Sequence, residues 1–209
     1  CLPNEYLYYY YYTRDALATI RASATTRGEF LLRQQADFYD TVTSHPDSAL
    51  QEWNRVRRER NTTYMAADRE TAHAGQRAEE DIESGGYEGV ALALMSAICR
   101  GLPTTLPLNV RNGRTVPGLP SEAIIEVTCT VNGDGAHPLD STPLSGAQLG
   151  LVQQIKAVEQ LTIEAACTHS ASTALAAFAL HPLVDSVSVA RALLDNYRAR
   201  IPDIAAVLR

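Results

Sequence analysis

The sequence contains no stretch of 18 or more apolar residues, and it does not open on the basic-then-apolar pattern of a secretory signal. Membrane spanning and secretion therefore find no support in it. Basic residues are outnumbered, since 18 Lys and Arg against 24 Asp and Glu leave a net charge of −6. Neutralising a phosphate backbone needs the opposite balance, so nucleic acid drops out of the expected partners, as a membrane does for lack of a spanning segment. The four cysteines lie far apart and form no C-x-x-C pair, and the five histidines form neither H-x-x-x-H nor C-x-x-H. No metal ligand can be assigned from such spacing. Scattered cysteines inside predicted elements are the usage of a reducing compartment, so a cytoplasmic protein is expected. There is no G-x-G-x-x-G, no Walker loop and no G-x-S-x-G, so no cofactor-binding residue or serine nucleophile can be written down.

What is present is an ordinary globular composition in 209 residues, 45% hydrophobic and 20% charged. That is enough for a real core, in one domain or one large domain with an appendage. The chain begins at Cys1 without a methionine, inside sequence that reads as structured, and is expected to be part of a longer polypeptide.

Six of its ten tyrosines fall between Tyr6 and Tyr12, interrupted only by Leu7. The following TRDALATIRA has helical spacing, so a tyrosine helix is expected. A helix turns about 100° per residue, and consecutive rings then point all around the axis. Burial on most sides follows, with core or interface packing as one use of the rings and a substrate-facing role for at least one as the other.

Thr26 and Glu29 have capping-box spacing and open a helix to about Thr43. Pro46 opens a third, with Leu50, Trp53 and Val56 on one stripe. The basic run Arg55 to Arg60 includes Glu59 and reads as a solvated or salt-bridged face. Residues 61–86 carry few large apolar groups and read as a mobile, partly helical excursion. YEGVALALMSAIC is an apolar helix stopped by Gly101. The pattern then changes. Ile125, Val127, Cys129 and Val131 alternate with polar residues, and Asn112-Gly113, Asn132-Gly133 and Asp134-Gly135 supply turns, so a small antiparallel sheet follows. From Ser145 the chain is helical again, with Ser170 and Asp185 or Ser186 as later caps and His181 placed to satisfy the last carbonyls of a helix end. The fold class is α+β, mainly helical with a small antiparallel sheet in the middle.

Three polar groups stand in settings suited to binding. Arg27 at a helix start can combine its guanidinium with backbone N–H groups to hold an anion, or can be a plain surface charge. Arg111 and Asn112 lie in a tight turn at a strand end, where binding groups are common, although the turn itself demands an asparagine.

The segments LPNEYLYYYYYTRD, NVRNGRTVPGLPSEAIIEVTCTVNGDGAHPL, LVQQIKAVEQLTIEAA and ALHPLVDSVSVARALLDNY together resemble the carboxy-terminal half of glycoside hydrolase family 4, most of all its 6-phospho-β-glucosidases. The resemblance implies a second domain like that of lactate and malate dehydrogenases, completing a sugar site beside an amino-terminal Rossmann domain. It also implies NAD and manganese in the full-length enzyme, neither bound by this chain alone. The implied chemistry is oxidation at C3, loss of the C2 proton to a base, elimination, water addition and hydride return, outside the usual two-carboxylate scheme. The resemblance places the family's base tyrosine shortly before this register, outside residues 1–209, so no catalytic residue is assigned, with Tyr8 and Tyr9 near the cleft as the alternatives; Arg27 matches a position suited to the substrate 6-phosphate. Cys1 in CLPN echoes the family's metal-binding cysteine, but the adjoining register belongs to a later part of the family chain, so it is not assigned as a ligand. A phosphorylated disaccharide or glucoside is the expected substrate, with a homo-dimer or tetramer as the assembly and no activity for residues 1–209 by themselves. An α-anomer or α-galactoside specificity is the related alternative. A helical interaction module without catalytic ancestry is the competing class.

Overall fold

The computed structural model describes residues 7–71 and 86–208. The chain divides into two compact units, Cys1–Ser84 and Gly85–Arg209.

The first unit is helical. α1 (Tyr8–Tyr11) and α2 (Thr13–Ala22) are separated at Tyr12, whose backbone at φ −115°, ψ 37° leaves the helical region. Thr13 Oγ1 donates to the Tyr9 carbonyl at 2.7 Å and steadies that junction. The tyrosine run is therefore a broken helix, and it is covered on one side rather than most. Tyr8 is buried, whereas Tyr11 and Tyr12 are 53% and 47% exposed. No single neighbouring face can cover rings that fan around the axis. Tyr8 stacks on Tyr12 one turn on, with centroids 5.1 Å apart, and meets Tyr9 edge-on. Tyr6 lies outside the described residues.

α3 (Arg27–Ser44) starts with the expected capping box. Glu29 N–H donates to Thr26 Oγ1 and Thr26 N–H donates to Glu29 Oε2 at 2.7 Å. A 3-10 turn, Pro46–Ser48, leads into α4 (Ala49–Thr63), which packs on α3. Gln34 is buried between them and donates to Glu59 Oε2 at 2.8 Å. The stripe of Leu50, Trp53 and Val56 is only partly covered. Leu50 is 73% and Trp53 55% exposed within this chain, because the short hairpin has only one partner face. The basic run is salt-bridged as expected, through Arg55 to Glu52 at 2.8 Å and to Glu59. α5 (Ala66–Thr71) follows. The expected excursion at 61–86 thus begins as helix, and the rest of it lies outside the described residues.

The second unit opens with α6 (Gly86–Arg100), closed by Gly101 in the left-handed region at φ +64°. Three antiparallel strands follow in the order β1 (Thr104–Arg111), β2 (Ile124–Asn132) and β3 (Gly135–Pro138). Leu106 pairs with Cys129 and Arg111 with Ile124. Ile125, Cys129 and Val131 are buried on one face, as the alternation predicts, and Glu126 and Thr128 point out. Positive φ falls at Gly113, Gly118 and Gly135, so of the three expected turn glycines Gly133 does not use it.

The remaining helices form a bundle. α7 (Gly146–Thr168) is capped by Ser145, α8 (Ala171–Leu180) by Ser170, and α9 (Val187–Arg200) by Ser186 rather than Asp185. A last helix, α10 (Pro202–Val207), has no counterpart in the sequence reading, being a single Pro-started turn and a half. Ala165, Ala174 and Leu194 make the core of the bundle, with Leu175, Phe178 and Leu208 packed on them. The small alanines let α7, α8 and α9 approach closely. The His181 ring does not serve the helix end as expected. Its Nδ1 accepts from Leu183 N–H at 3.2 Å, so the ring turns forward to the next segment.

Candidate functional site

In the first unit, α1 and α5 bring Tyr9 and Asp68 together across 59 residues. Tyr9 Oη donates to Asp68 Oδ2 at 3.4 Å, a long bond between two half-buried groups. Burial raises the Asp68 carboxyl above the ordinary range, against the opposing pull of the Tyr9 bond and Arg69. Burial also raises the Tyr9 phenol, and the Asp68 charge adds to that. Asp68 Oδ1 is buried and accepts no hydrogen bond among the described residues. Sequence reasoning points to Tyr8 and Tyr9 but has no means to find Asp68, since nothing in residues 61–71 marks a partner so distant. Tyr8 is the more enclosed of the two rings.

Arg27, at the start of α3, ties that end to the end of α4. One terminal nitrogen donates to Thr63 Oγ1 at 2.8 Å and the other to the Arg60 carbonyl at 2.9 Å. Its guanidinium lies 5.0 Å over the Phe30 ring and 5.9 Å from that of Tyr64. Burial, and then the neighbouring Arg60, pull it below its ordinary value. A guanidinium carries five N–H groups, so it keeps donors beyond those two contacts.

In the second unit, Arg111 and Asn112 occupy the β1–β2 connection and have opposite surroundings. Arg111 is exposed, and its charge reaches Glu122, whose carboxyl is lowered chiefly by the Ser121 hydroxyl and only lastly by Arg111. Asn112 is 1% exposed and serves the loop itself. Its Nδ2 faces the carbonyls of Val116, Leu119 and Pro120 at 3.2, 3.2 and 3.1 Å, and its Oδ1 accepts from Val116 N–H at 2.8 Å. Its backbone N–H adds a bond to the Ala123 carbonyl, and Gly113 N–H one to Ser121. Asn112 therefore gives the loop its shape, and Arg111 is the side chain of the pair turned outward. α7 holds the loop from outside. Gln153 donates to the Gly118 carbonyl at 2.8 Å and Lys156 to the Ile124 carbonyl at 2.6 Å, while Leu149 packs on Gly118.

A cavity of about 720 Å³ opens among α7, α8, α9 and α10, lined by Ala165, Ala177, Phe178, Leu194 and Ile204 with His181 and Tyr197 among them. Its walls are nearly all apolar, which suits a helix-bundle interior better than a sugar. Among the described residues no three His, Cys, Asp or Glu side chains gather as a metal site. Nor does any described strand-to-helix turn carry the glycines that cradle a pyrophosphate. Neither a three-ligand metal cluster nor a glycine cradle for a pyrophosphate is therefore assembled by the described residues.

The chain belongs to the family 4 glycosyl hydrolases, matching the description "Family 4 glycosyl hydrolase C-terminal domain" over residues 1–184. Its relatives include a probable 6-phospho-beta-glucosidase of Bacillus subtilis, 36% identical over 110 residues, which are 53% of this chain and 25% of the relative. The 6-phospho-alpha-glucosidase of Leptotrichia buccalis is 25% identical over 208 residues, 100% of this chain and 41% of the relative. The chain thus spans a quarter to two fifths of the curated relatives it matches here. In fold it is similar to the 6-phospho-beta glucosidase from Thermotoga maritima solved with manganese, NAD+ and glucose-6-phosphate. The TM-score is 0.70 at 20% identity, covering 97% of this chain and 42% of that one. Membership of this family answers the competing expectation of a helical module without catalytic ancestry.

Proposed function

We propose that this chain is the substrate-side part of an enzyme that hydrolyses 6-phospho-β-glucosides by oxidation, elimination and addition, with NAD and manganese held by an amino-terminal Rossmann domain. The family match over residues 1–184 carries the reading. Within it, Tyr9 takes the proton from the sugar carbon beside the oxidised one, because its hydroxyl is half-buried yet engaged by a single loose bond. Tyr8 is the second candidate and the more enclosed. Arg27, preset by Thr63 and Arg60, offers its remaining N–H groups to the 6-phosphate. In the second unit, taken by itself, Arg111 is the outward charge of the β1–β2 loop that could meet an anionic ligand, with Asn112 shaping the loop beneath it.

The β-anomer is favoured by the relatives with the higher identities, 36% and 33%. A 6-phospho-α-glucosidase is the second reading, favoured by the alignment over the whole chain to relatives of that specificity. Elimination next to a ketone tolerates either anomer, so geometry at the leaving group does not choose. The exposed apolar side chains of Leu50, Trp53, Leu92 and Met95 suit a homo-dimer or tetramer in the cytoplasm. The test is turnover by the intact protein, supplied with NAD and manganese, of chromogenic 6-phospho-β-glucoside, 6-phospho-α-glucoside and unphosphorylated α-galactoside. Turnover of the first above the others is expected. Equal or preferred turnover of an unphosphorylated sugar overturns the assignment.

A further inference from the structure

The Tyr9–Asp68 contact has chemistry of its own, and its use rests on the reading of Tyr9 as the group that meets the sugar. A neutral phenol is a poor base, because the proton it already carries must go somewhere. Asp68 accepts the hydrogen bond of the Tyr9 hydroxyl and so stands where that proton can be received. We propose that Asp68 is the positioning residue behind Tyr9: as the phenol oxygen takes a proton from the sugar carbon, the hydroxyl proton of Tyr9 passes to Asp68 Oδ2.

The step balances. The sugar C–H bond breaks and leaves its electron pair on the carbon, and a new O–H bond forms on Tyr9. The old Tyr9 O–H bond breaks and the proton joins the Asp68 carboxylate. When the sugar carbon is protonated again, the same two protons move back. No phenolate is needed at any stage.

Three observations carry this. The contact is made between elements distant in sequence, so it is tertiary and not an accident of local helix geometry. Asp68 is a half-buried carboxylate that forms no ion pair among the described residues, because the adjacent Arg69 guanidinium is spent on the carbonyls of Tyr64 and Thr62. A partly desolvated carboxylate without an ion pair among the described residues is costlier to keep charged than an exposed one, which is a pattern found at reactive sites. Third, the 3.4 Å separation is long but within reach, and a catalytic contact of this length can tighten when substrate binds. The charged and titratable groups facing the pair are Tyr8 on α1 and Arg69 on α5. The acceptor strength points the same way, since burial makes this carboxylate more basic than an exposed one.

The experiment uses the intact protein as wild type, Asp68→Asn, Asp68→Glu and Tyr9→Phe, with circular dichroism confirming that each is folded. Phenolate absorbance is titrated with Tyr9→Phe as the blank. The Tyr9 step is expected at lower pH in Asp68→Asn, because the charge that holds the phenol up is gone, and an unmoved step overturns the contact. In the pH profile of turnover on the chromogenic 6-phospho-glucoside, Asp68→Asn is expected to lose about 10²-fold at neutral pH. It should recover toward alkaline pH as Tyr9 itself ionises, and Asp68→Glu should restore part of the loss. A loss with an unchanged profile means that Asp68 only holds α5 in place, and overturns the proposal. Tyr9→Phe inactive with Asp68→Asn fully active rejects the relay alone. Full activity in Tyr9→Phe rejects the reading of Tyr9 and this inference with it.

Discussion

Replacing Asn112 by alanine and by aspartate should separate the energetics of the β1–β2 loop from those of its size. The alanine variant removes one acceptor, which leaves Val116 N–H without its 2.8 Å bond, and one amide nitrogen, which faces three carbonyls. That nitrogen has two hydrogens, so the loss is about three hydrogen bonds rather than four. At roughly 1 kcal/mol each, with part of the loop reopening to water, the expected loss is about 3 kcal/mol. For a chain of this size that corresponds to a fall in Tm of roughly 6–12 °C. Aspartate is nearly isosteric, yet it should be worse. Its carboxylate keeps the bond from Val116 but turns a lone pair toward the carbonyls of Val116, Leu119 and Pro120. Such a carboxyl has its folded pKa raised above the unfolded value, so its charged form is the destabilised one. The Asn112→Asp variant should therefore regain stability as pH falls through the carboxyl's raised folded pKa toward its unfolded value. Urea unfolding followed by far-UV circular dichroism at two pH values measures both effects. An alanine variant that loses less than about 1 kcal/mol, or an aspartate variant more stable than alanine at neutral pH, would refute the account of the loop.

Other outcomes follow from particular contacts. Thr26→Ala should cost about 1 kcal/mol through loss of the α3 cap, read by chemical denaturation. The Glu29 carboxyl is lowered by its bonds from the Thr26 backbone and hydroxyl, so its contribution is present above the unfolded pKa and lost as pH falls through the folded one. Glu29→Gln should flatten that part of the acid-side decline in stability. Gly118→Ala places a Cβ 3.0 Å from Leu149 Cδ2 at φ +88° and should destabilise by ~1–2 kcal/mol. The Gly118→Ala, Leu149→Ala pair should not relieve the backbone share, which a double-mutant cycle measures. Arg27→Ala in the intact protein should raise KM for a phosphorylated glucoside far more than for its unphosphorylated counterpart, and an equal effect on both would confine Arg27 to bracing α3 against α4.

Local chemistry is legible in the residues themselves. The Thr26 and Glu29 box, the Ser170 and Ser186 caps, the Gly101 stop and the inward Ile125, Cys129 and Val131 all follow from side-chain hydrogen bonding, left-handed backbone or a period of two. What fails depends on partners the local pattern does not contain. The stripe through Leu50 and Trp53 has the spacing of a buried face, but spacing says nothing about whether a second layer arrives to cover it. The tyrosine run has the apolar bulk of a helix buried on most sides, yet only Tyr8 is buried, Tyr9 and Tyr10 are half-covered, and Tyr11 and Tyr12 are exposed. The role of Asn112 is half visible, since Asn-Gly announces a turn, but side-chain hydrogen bonds to residues up to Pro120 require knowing how the loop folds back. Asp68 is invisible because its partner is 59 positions away. Arg27 stands out for its place at a helix start, while its neighbours Thr63 and Arg60 come from the far end of another helix.

The locked amide of Asn112 also bears on how the protein ages. An asparagine followed by glycine ordinarily deamidates fastest, because the glycine nitrogen can swing onto the side-chain carbonyl carbon and close a succinimide. Here Gly113 N–H is held on the Ser121 carbonyl at 2.8 Å and the amide is fastened on both its atoms, so ring closure would first have to dismantle the loop. Peptide mapping after prolonged storage should find isoaspartate at Asn132-Gly133 before Asn112-Gly113, and the loop would keep its chemical identity as long as it stays folded.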